Sequence, residues 1–330
     1  MTLAQQQIEA LHVESFGYLL VHFVEDQIGH AEKIYFSLSI DDDPLRWRRL
    51  GDGPILESTQ GSTGVRDPHL VRGSKGRFFL VATDLRVWRP EGPDWWAYRH
   101  RGSRDLVVWE SDDLVRWSAA RYVTVAPEGA GMAWAPESLY DPVSGDFLVY
   151  WSSGLLEDEG EGDLQETGPS RIMVARTRDF RTFSTPATYL ELPVGVIDMT
   201  VHVTSNAVHR IAKQDDAAAG SLHVFHQMGS SFFADDFVTV ASDIGEEIAP
   251  NVEGPLIFKQ NNADRWYLWV DQYTRLPQGY SAFRTTDLSS GDWTWVPDFD
   301  LPANTKHGAV LPLLRHEYDT LESQYPESRQ

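Results

Sequence analysis

The sequence predicts an all-β chain folded as a five-bladed β-propeller, closed by pairing of its N- and C-terminal segments. Three observations predict it. First, helical periodicity is confined to the opening dozen residues, MTLAQQQIEALH, and to a tail around HEYDTLESQY; elsewhere short runs of β-branched and aromatic residues alternate with polar ones and end at Gly, Asp or Pro. Second, one strand-pair unit recurs along the chain. Third, short segments carrying a polar group precede the pairs at intervals of 70, 61, 55 and 54 residues, measured between Asp67, Glu137, Asp198, Glu253 and His307. A period of that size, with about four short strands per unit, is what a propeller blade requires.

Taken in order, the units are as follows. GYLLVHFVE (17–25) and KIYFSLSIDDDPLRW (33–47) form a pair with no lead segment before it. VRDPHLV (65–71) leads into GRFFLVATD (76–84) and VVWESDDLVRW (107–117), a strand ending in Asp-Leu and a Trp. WAPESLY (134–140) leads into GDFLVYWSS (145–153) and IMVARTRDFRTF (172–183), with Phe in place of Leu and Trp. VIDMTVH (196–202) precedes a weaker copy, VHRIAK (208–213) and SSFFADDF (230–237). VEGPLIF (252–258) leads into RWYLWVDQY (265–273) and YSAFRTTDL (280–288). HGAVLPL (307–313) is a lead segment with no pair after it. Joining it to the first pair completes a fifth blade and closes the ring, leaving only short sheet edges. The competing reading is a two-sheet sandwich whose Asp-Leu repeats are ordinary turn chemistry; the even spacing argues against it. Residues 1–330 are read as a single catalytic domain, with 1–15 an N-terminal extension and 317–330 a C-terminal tail.

Composition narrows the function. The 49 acids outnumber 28 bases, for a net charge of −21, which repels phosphate backbones and anionic lipid. No nucleic-acid or membrane partner is expected. Cysteine is absent, excluding disulfides, thiolate metal sites and cysteine nucleophiles. The first basic residue is Lys33, and the apolar stretch near Tyr18–Val24 is interrupted by His22 and followed by acids, so it does not read as a signal peptide. Cytoplasmic residence is the expectation. The oligomeric state is not readable.

Two inserts interrupt the pattern. Residues 154–169 are acidic and poor in apolar groups, as a solvated loop would be. Residues 86–103, RVWRPEGPDWWAYRHRGS, hold Trp88, Trp95, Trp96, Tyr98 and four arginines. Those rings either pin the loop to the body or stack on a ligand.

In a propeller the first strand of each blade lines the channel, so the lead segments point Asp67, Glu137, Asp198, Glu253 and His307 toward one place. Acids inside apolar strands are costly unless they have a partner or a task. Clustered carboxyls raise one another's pKa, so a protonated and an ionised one coexist near neutrality. Glycosidic cleavage needs that combination: one acid protonates the leaving oxygen while a carboxylate activates water or attacks.

The ordered set GVRDPHL, WAPESLY, GVIDMTV, EGP and HGAVLP, with GPILES before it, resembles glycoside hydrolase family 43 from about Gly17 to His316. The resemblance implies a five-bladed propeller and inversion of anomeric configuration. It places the general base on Asp67, the general acid on Glu253, and a third carboxylate that tunes and orients the acid on Asp198. It puts Trp134 in the wall of the sugar pocket and gives Glu137 a substrate contact. His307 matches a channel histidine; one reading has it hold a calcium through water, the other has it hydrogen-bond a carboxylate. No cofactor is expected to be required; the one candidate is that structural calcium. Three positions depart from the pattern: Glu137 stands where Asp is frequent, Met199 where Pro or a small residue is common, and Lys306 where related sequences carry Arg.

The expected activity is exo-acting release of a terminal pentose from oligosaccharides derived from plant cell walls. An α-L-arabinofuranosidase comes first, then β-xylosidase, then galactofuranosidase or galactanase. The rivals are a retaining fructosidase, an inverting sugar phosphorylase with a basic phosphate site, and an inactive sugar-binding propeller. An inverting pair would separate the Asp67 and Glu253 carboxyls by roughly 6.5–9.5 Å.

Overall fold

The structure is a computed structural model; it describes residues 15–25, 32–155, 168–215 and 223–325. The opening helical stretch and most of the acidic 154–169 insert lie outside the described residues. The described strands form five four-stranded antiparallel sheets. β4 (Val65–Arg72), β5 (Phe78–Asp84), β6 (Asp105–Ser111) and β7 (Arg121–Thr124) make one. β8 (Trp134–Asp141), β9 (Asp146–Ser153), β10 (Arg171–Thr177) and β11 (Ala187–Glu191) make the next. Then come β12 (Val196–Val203), β13 (Val208–Gln214), β14 (Val224–Gly229) and β15 (Val238–Ala241), followed by β16 (Val252–Lys259), β17 (Trp266–Gln272), β18 (Gly279–Thr285) and β19 (Thr294–Val296).

The last sheet is built from both ends of the described chain. β20 (Lys306–Leu314) pairs with β1 (Ser15–Val24), which continues to β2 (Lys33–Ile40) and β3 (Asp43–Arg49). The first strands touch in a ring, β4 to β8 to β12 to β16 to β20 and back to β4. This is the five-bladed propeller and the closure that the sequence predicts. Helix α2 (Arg315–Gln324) follows β20 and buries Tyr318 and Leu321 against the closing blade. The weak copy in the β12–β15 blade differs in detail. Its third strand is Val224–Gly229, and SSFFADDF is the turn after it, which buries Phe232.

The middle strands are apolar on both faces because each separates two inter-blade cores. Phe78, Leu80 and Ala82 of β5 pack with Phe23, Phe36 and Trp109. Their alternates Phe79 and Val81 pack with Phe147 and Trp151 of the next blade. A strand with period-two side chains between two sheets must be apolar throughout, which is why GRFFLVATD and GDFLVYWSS read as continuous runs. The repeated Asp-Leu signature is the turn from third to fourth strand. Asp113 accepts from the Val115 and Arg116 amides while Leu114, at φ +63°, drops its side chain into the core; Asp179 and Phe180 (φ +52°) repeat the arrangement.

Candidate active site

The first strand of every blade carries a β-bulge at the same level. Pairing slips between Arg66 and His69, Trp134 and Glu137, Ile197 and Thr200, and Glu253 and Leu256. In β20 the slip leaves His307 as the extra residue. The bulged residue has positive φ in four blades: Asp67 (50°), Ala135 (46°), Asp198 (54°) and Gly254 (51°). In three of them a proline follows (Pro68, Pro136, Pro255), lacking the N–H that the interrupted ladder cannot use. A side chain added at Gly254 would fall 2.6 Å from the His307 ring, so this position takes only glycine.

The bulges change the order read from spacing. The equivalent positions are Asp67, Ala135, Asp198, Gly254 and His307; Glu253 stands one residue earlier and Glu137 two residues later. Asp67, Asp198, Glu253, His307 and Trp134 all line one cavity of about 700 Å³ at the starting ends of the inner strands. Glu137 is not among its lining residues. It lies deeper, buried, accepting from the Tyr150 hydroxyl at 2.9 Å, with His69 Nδ1 3.8 Å away.

Four of the five bulge amides freed from the ladder meet a side chain of the neighbouring blade. Thr83 Oγ1 accepts from the Ala135 amide at 2.8 Å and donates to Asp67 Oδ2 at 2.9 Å. Ser152 Oγ accepts from the Asp198 amide at 3.0 Å, and Asp271 from the His307 amide at 3.3 Å. The Gly254 amide donates to Asp198 Oδ2 at 3.2 Å, which ties the two acid-bearing strands together.

The carboxyls sit in different electrostatic settings. Burial alone would raise the Asp67 pKa. The His307 ring, with Nδ1 3.4 Å from Oδ1, together with Arg66 and the Thr83 hydrogen bond, outweighs it and holds Asp67 below the usual range. His307 in turn rises to about 9: burial opposes its charge, but Asp67 first, then Asp198 and Glu137, sustain it. Glu253 is also held low. Burial raises it, but Lys213 Nζ at 3.0 Å and Lys306 Nζ at 4.0 Å overcome that. Asp198 is pushed up to about 6 by burial, and the charge of Glu253 adds to the rise. With two lysines on Glu253, the mutual repulsion of the two acids shows as a lift on Asp198.

Spacing missed several residues. Lys213 is one, although a lysine ending the apolar run VHRIAK is a signal of a buried partner. Arg66 is held between Glu32 (2.6 Å) and Glu25 (3.5 Å). Lys306, 1% exposed, lies 3.3 Å from the fully buried Asp271, whose pKa burial raises to about 6. As to calcium, among the described residues the only three or more His, Asp or Glu with ligand atoms converging within 4.8 Å are His223, Asp243 and Glu246, away from the cavity. His307 has a carboxylate partner in Asp67.

A ring of bulged strands presenting carboxyls into a single cavity defines a propeller-type glycosidase site. The family model described as a probable glycosyl hydrolase domain, of the glycosyl hydrolase 43-related kind, matches residues 14–319, and the chain belongs to that family. The family is one of glycosyl hydrolase domains. An α-L-arabinofuranosidase of Bifidobacterium longum subsp. longum is 27% identical over 322 aligned residues, covering 86% of this chain and 30% of the relative, so the chain spans under a third of that protein's length. Among solved structures, the catalytic domain of the Coprinopsis cinerea family-62 α-L-arabinofuranosidase matches with a TM-score of 0.52 and 16% identity, covering 77% of each chain. A family-43 β-1,3-galactosidase with galactodeoxynojirimycin matches with a TM-score of 0.50 and 13% identity, covering 74% of this chain and 81% of its own. These likenesses are of fold. Among the described residues no helix is long and apolar enough to cross a membrane.

Proposed function

We propose that this glycosidase is exo-acting and releases a terminal pentose, as an α-L-arabinofuranosidase, from short cell-wall oligosaccharides. Asp67 is the general base, Glu253 the general acid, and Asp198 the carboxyl that shares the acid's proton and holds its orientation. The observation that carries the reading is the unequal treatment of the carboxyls on one cavity. Asp67 is kept ionised by His307 and Arg66, as a base must be. The neighbouring Asp198–Glu253 pair retains a proton up to about pH 6, counted on Asp198. Such a pair titrates as a unit, so its protonation belongs to the two carboxyls together.

In the proposed reaction Asp67 takes a proton from a water that attacks the anomeric carbon, while Glu253 delivers the pair's proton to the glycosidic oxygen. The C–O bond to the leaving group breaks as the bond to water forms, inverting the centre. Trp134, 8% exposed, with the Arg99 guanidinium 5.3 Å from its ring, forms an apolar wall for the sugar. Choice of arabinose rests on the similar bifidobacterial protein; the carboxyls do not discriminate between pentoses. Phosphorolysis is not favoured, because Arg66, Arg99, Lys213 and Lys306 each already face a carboxylate. Cytoplasmic residence fits a cavity suited to short substrates and is checked by cell fractionation.

The test is a panel of p-nitrophenyl α-L-arabinofuranoside, β-xyloside, galactofuranoside and galactoside, run with Asp67→Asn. Arabinofuranoside turnover that Asp67→Asn lowers about 100-fold or more supports the proposal. Preference for another glycoside overturns the arabinose assignment, and wild-type rates in Asp67→Asn overturn the base assignment.

A further inference from the structure

The connection from β5 to β6 spans residues 85–104, whereas the corresponding connection from β17 to β18 spans 273–278. It folds into a short helix, α1 (Trp95–Arg101), none of whose residues is buried. It is nonetheless fastened at several points. Asp94 caps the helix, accepting from the Ala97 amide at 3.0 Å. The Tyr98 hydroxyl donates to the Val87 carbonyl at 3.0 Å. Arg99 grips Asp215 of another blade with two hydrogen bonds, 2.5 and 2.9 Å. The Gly102 amide donates to the Gly131 carbonyl at 2.8 Å, and a Cβ at Gly131 would fall 2.0 Å from the Arg99 carbonyl oxygen, so the helix end lies directly on that loop.

The residues that fasten the insert are therefore Asp94, Tyr98, Arg99 and Gly102. Trp95 also packs edge-on against Tyr98 at 5.7 Å and Trp88 lies under the Arg86 guanidinium at 5.8 Å, yet both keep nearly half their surface outside the fold. Trp88 and Trp95 are each 45% exposed and both line the cavity that holds Asp67 and Glu253. Trp95 meets Trp134 in the sugar wall edge-on, at 6.3 Å and 77°. Pro90 and Pro93 line the same side. An anchored loop that holds two large rings half exposed on the rim of a catalytic cavity is a platform for a flat ligand.

We propose that Trp88 and Trp95 form the leaving-group subsite, taking the apolar face of a neutral sugar ring on the far side of the scissile bond. The inference rests on the catalytic assignment above for its position on the cavity. The occupant is a neutral oligosaccharide because Arg99 is committed to Asp215, and because continuity with the carboxyl-lined cavity places the platform where the remainder of the substrate must leave. The platform acts on binding, so its loss raises KM for substrates with a second ring and spares those without one.

Two measurements test it on the full chain, with Trp88→Ala, Trp95→Ala and the double variant. Trp96→Ala is the control: Trp96 is as exposed, at 44%, but stacks on His100 at 4.7 Å and does not line the cavity. The first measurement is tryptophan fluorescence titrated with arabinotriose, xylotriose, cellotriose and β-1,3-galactotriose. At least one trisaccharide is expected to change the wild-type and Trp96→Ala signal, with the dissociation constant rising about 10-fold or more in each cavity-side variant. The second is kinetics on methyl α-L-arabinofuranoside against arabinotriose, where KM rises only for the trisaccharide. If no trisaccharide binds in a way that Trp88→Ala or Trp95→Ala weakens, the platform is overturned. If binding behaves as expected but neither arabinoside turns over, the platform stands and the arabinose assignment falls.

Discussion

Lys213 is the residue whose removal most directly tests the division of labour among the carboxyls. Its ammonium lies 3.0 Å from Glu253 Oε2, with the lysine side chain 5% exposed and the glutamate 24%. At that distance and an effective dielectric near 20, the attraction is about 5 kcal/mol before screening and relaxation. An opposite charge in contact lowers a carboxyl pKa by about 1–3 units. Lys306, 4.0 Å from Oε1, remains and retains part of the effect. Lys213→Met is therefore expected to raise the pKa of the Glu253–Asp198 pair by about 1–2 units. Protonated acid is the active form, so a higher pKa extends that form to higher pH. The alkaline limb of the kcat/KM profile moves up by the same amount, while the acid limb, set by Asp67, stays in place. The assay is a pH–rate profile on a glycoside with a poor alkyl leaving group, which depends on proton donation. Lys213→Arg keeps the charge and is expected to leave the limb near wild type. An alkaline limb that stays put or moves down in Lys213→Met refutes the assignment of Glu253 as proton donor.

Three further outcomes follow from the same geometry. In His307→Gln, Asp67 loses the cation that holds it ionised; its pKa rises, so the base form is lost at higher pH and the acid limb moves up by about 1 unit or more, read from the same profiles. Thr83→Val removes the hydroxyl that bonds both Asp67 and the buried Ala135 amide, and is expected to cost about 1–3 kcal/mol in urea unfolding together with a fall in kcat. Leu313→Ala opens a cavity under the closing strand, where Leu313 is fully buried; a loss of about 2–5 kcal/mol is expected, whereas a surface-like change below 0.5 kcal/mol would show that β20 does not seal the ring.

The propeller was legible because its blades repeat and because each middle strand must be apolar on both faces. Closure was legible from the ends, where HGAVLPL lacked a pair and GYLLVHFVE lacked a leader. Registration of the site was harder. Equal spacing treated Glu137 as the counterpart of Asp67, but a bulge adds a residue locally, and spacing near 60 does not resolve a difference of two. The prolines could have resolved it: Pro68, Pro136 and Pro255 occupy one level, which puts Ala135 opposite Asp67 and sends Glu137 deeper. Lys213 was only half legible: its place at the end of an apolar run signals a buried partner but not which one. Its partner Glu253 lies 40 residues away on another blade, and no local pattern joins them.

The excess of acids, 49 against 28 bases, sits beside a site in which cations face nearly every carboxyl. The two facts are compatible because an acid buried alone would simply keep its proton. Glu137, raised by burial against hydrogen bonds and the charge of His307, reaches about 8, whereas Asp67 and Glu253, each with a cation within 3.4 Å, are held low. Buried acids near the axis thus take their protonation state from the cation placed beside them, and the cations come from different strands: His307 from β20 for Asp67, Lys213 from β13 for Glu253. Among the described residues no cation makes such a contact with Asp198, and it is left near pH 6. Closing the ring is therefore a chemical requirement as well as a structural one, since the last strand delivers the charge that keeps the first blade's aspartate ionised.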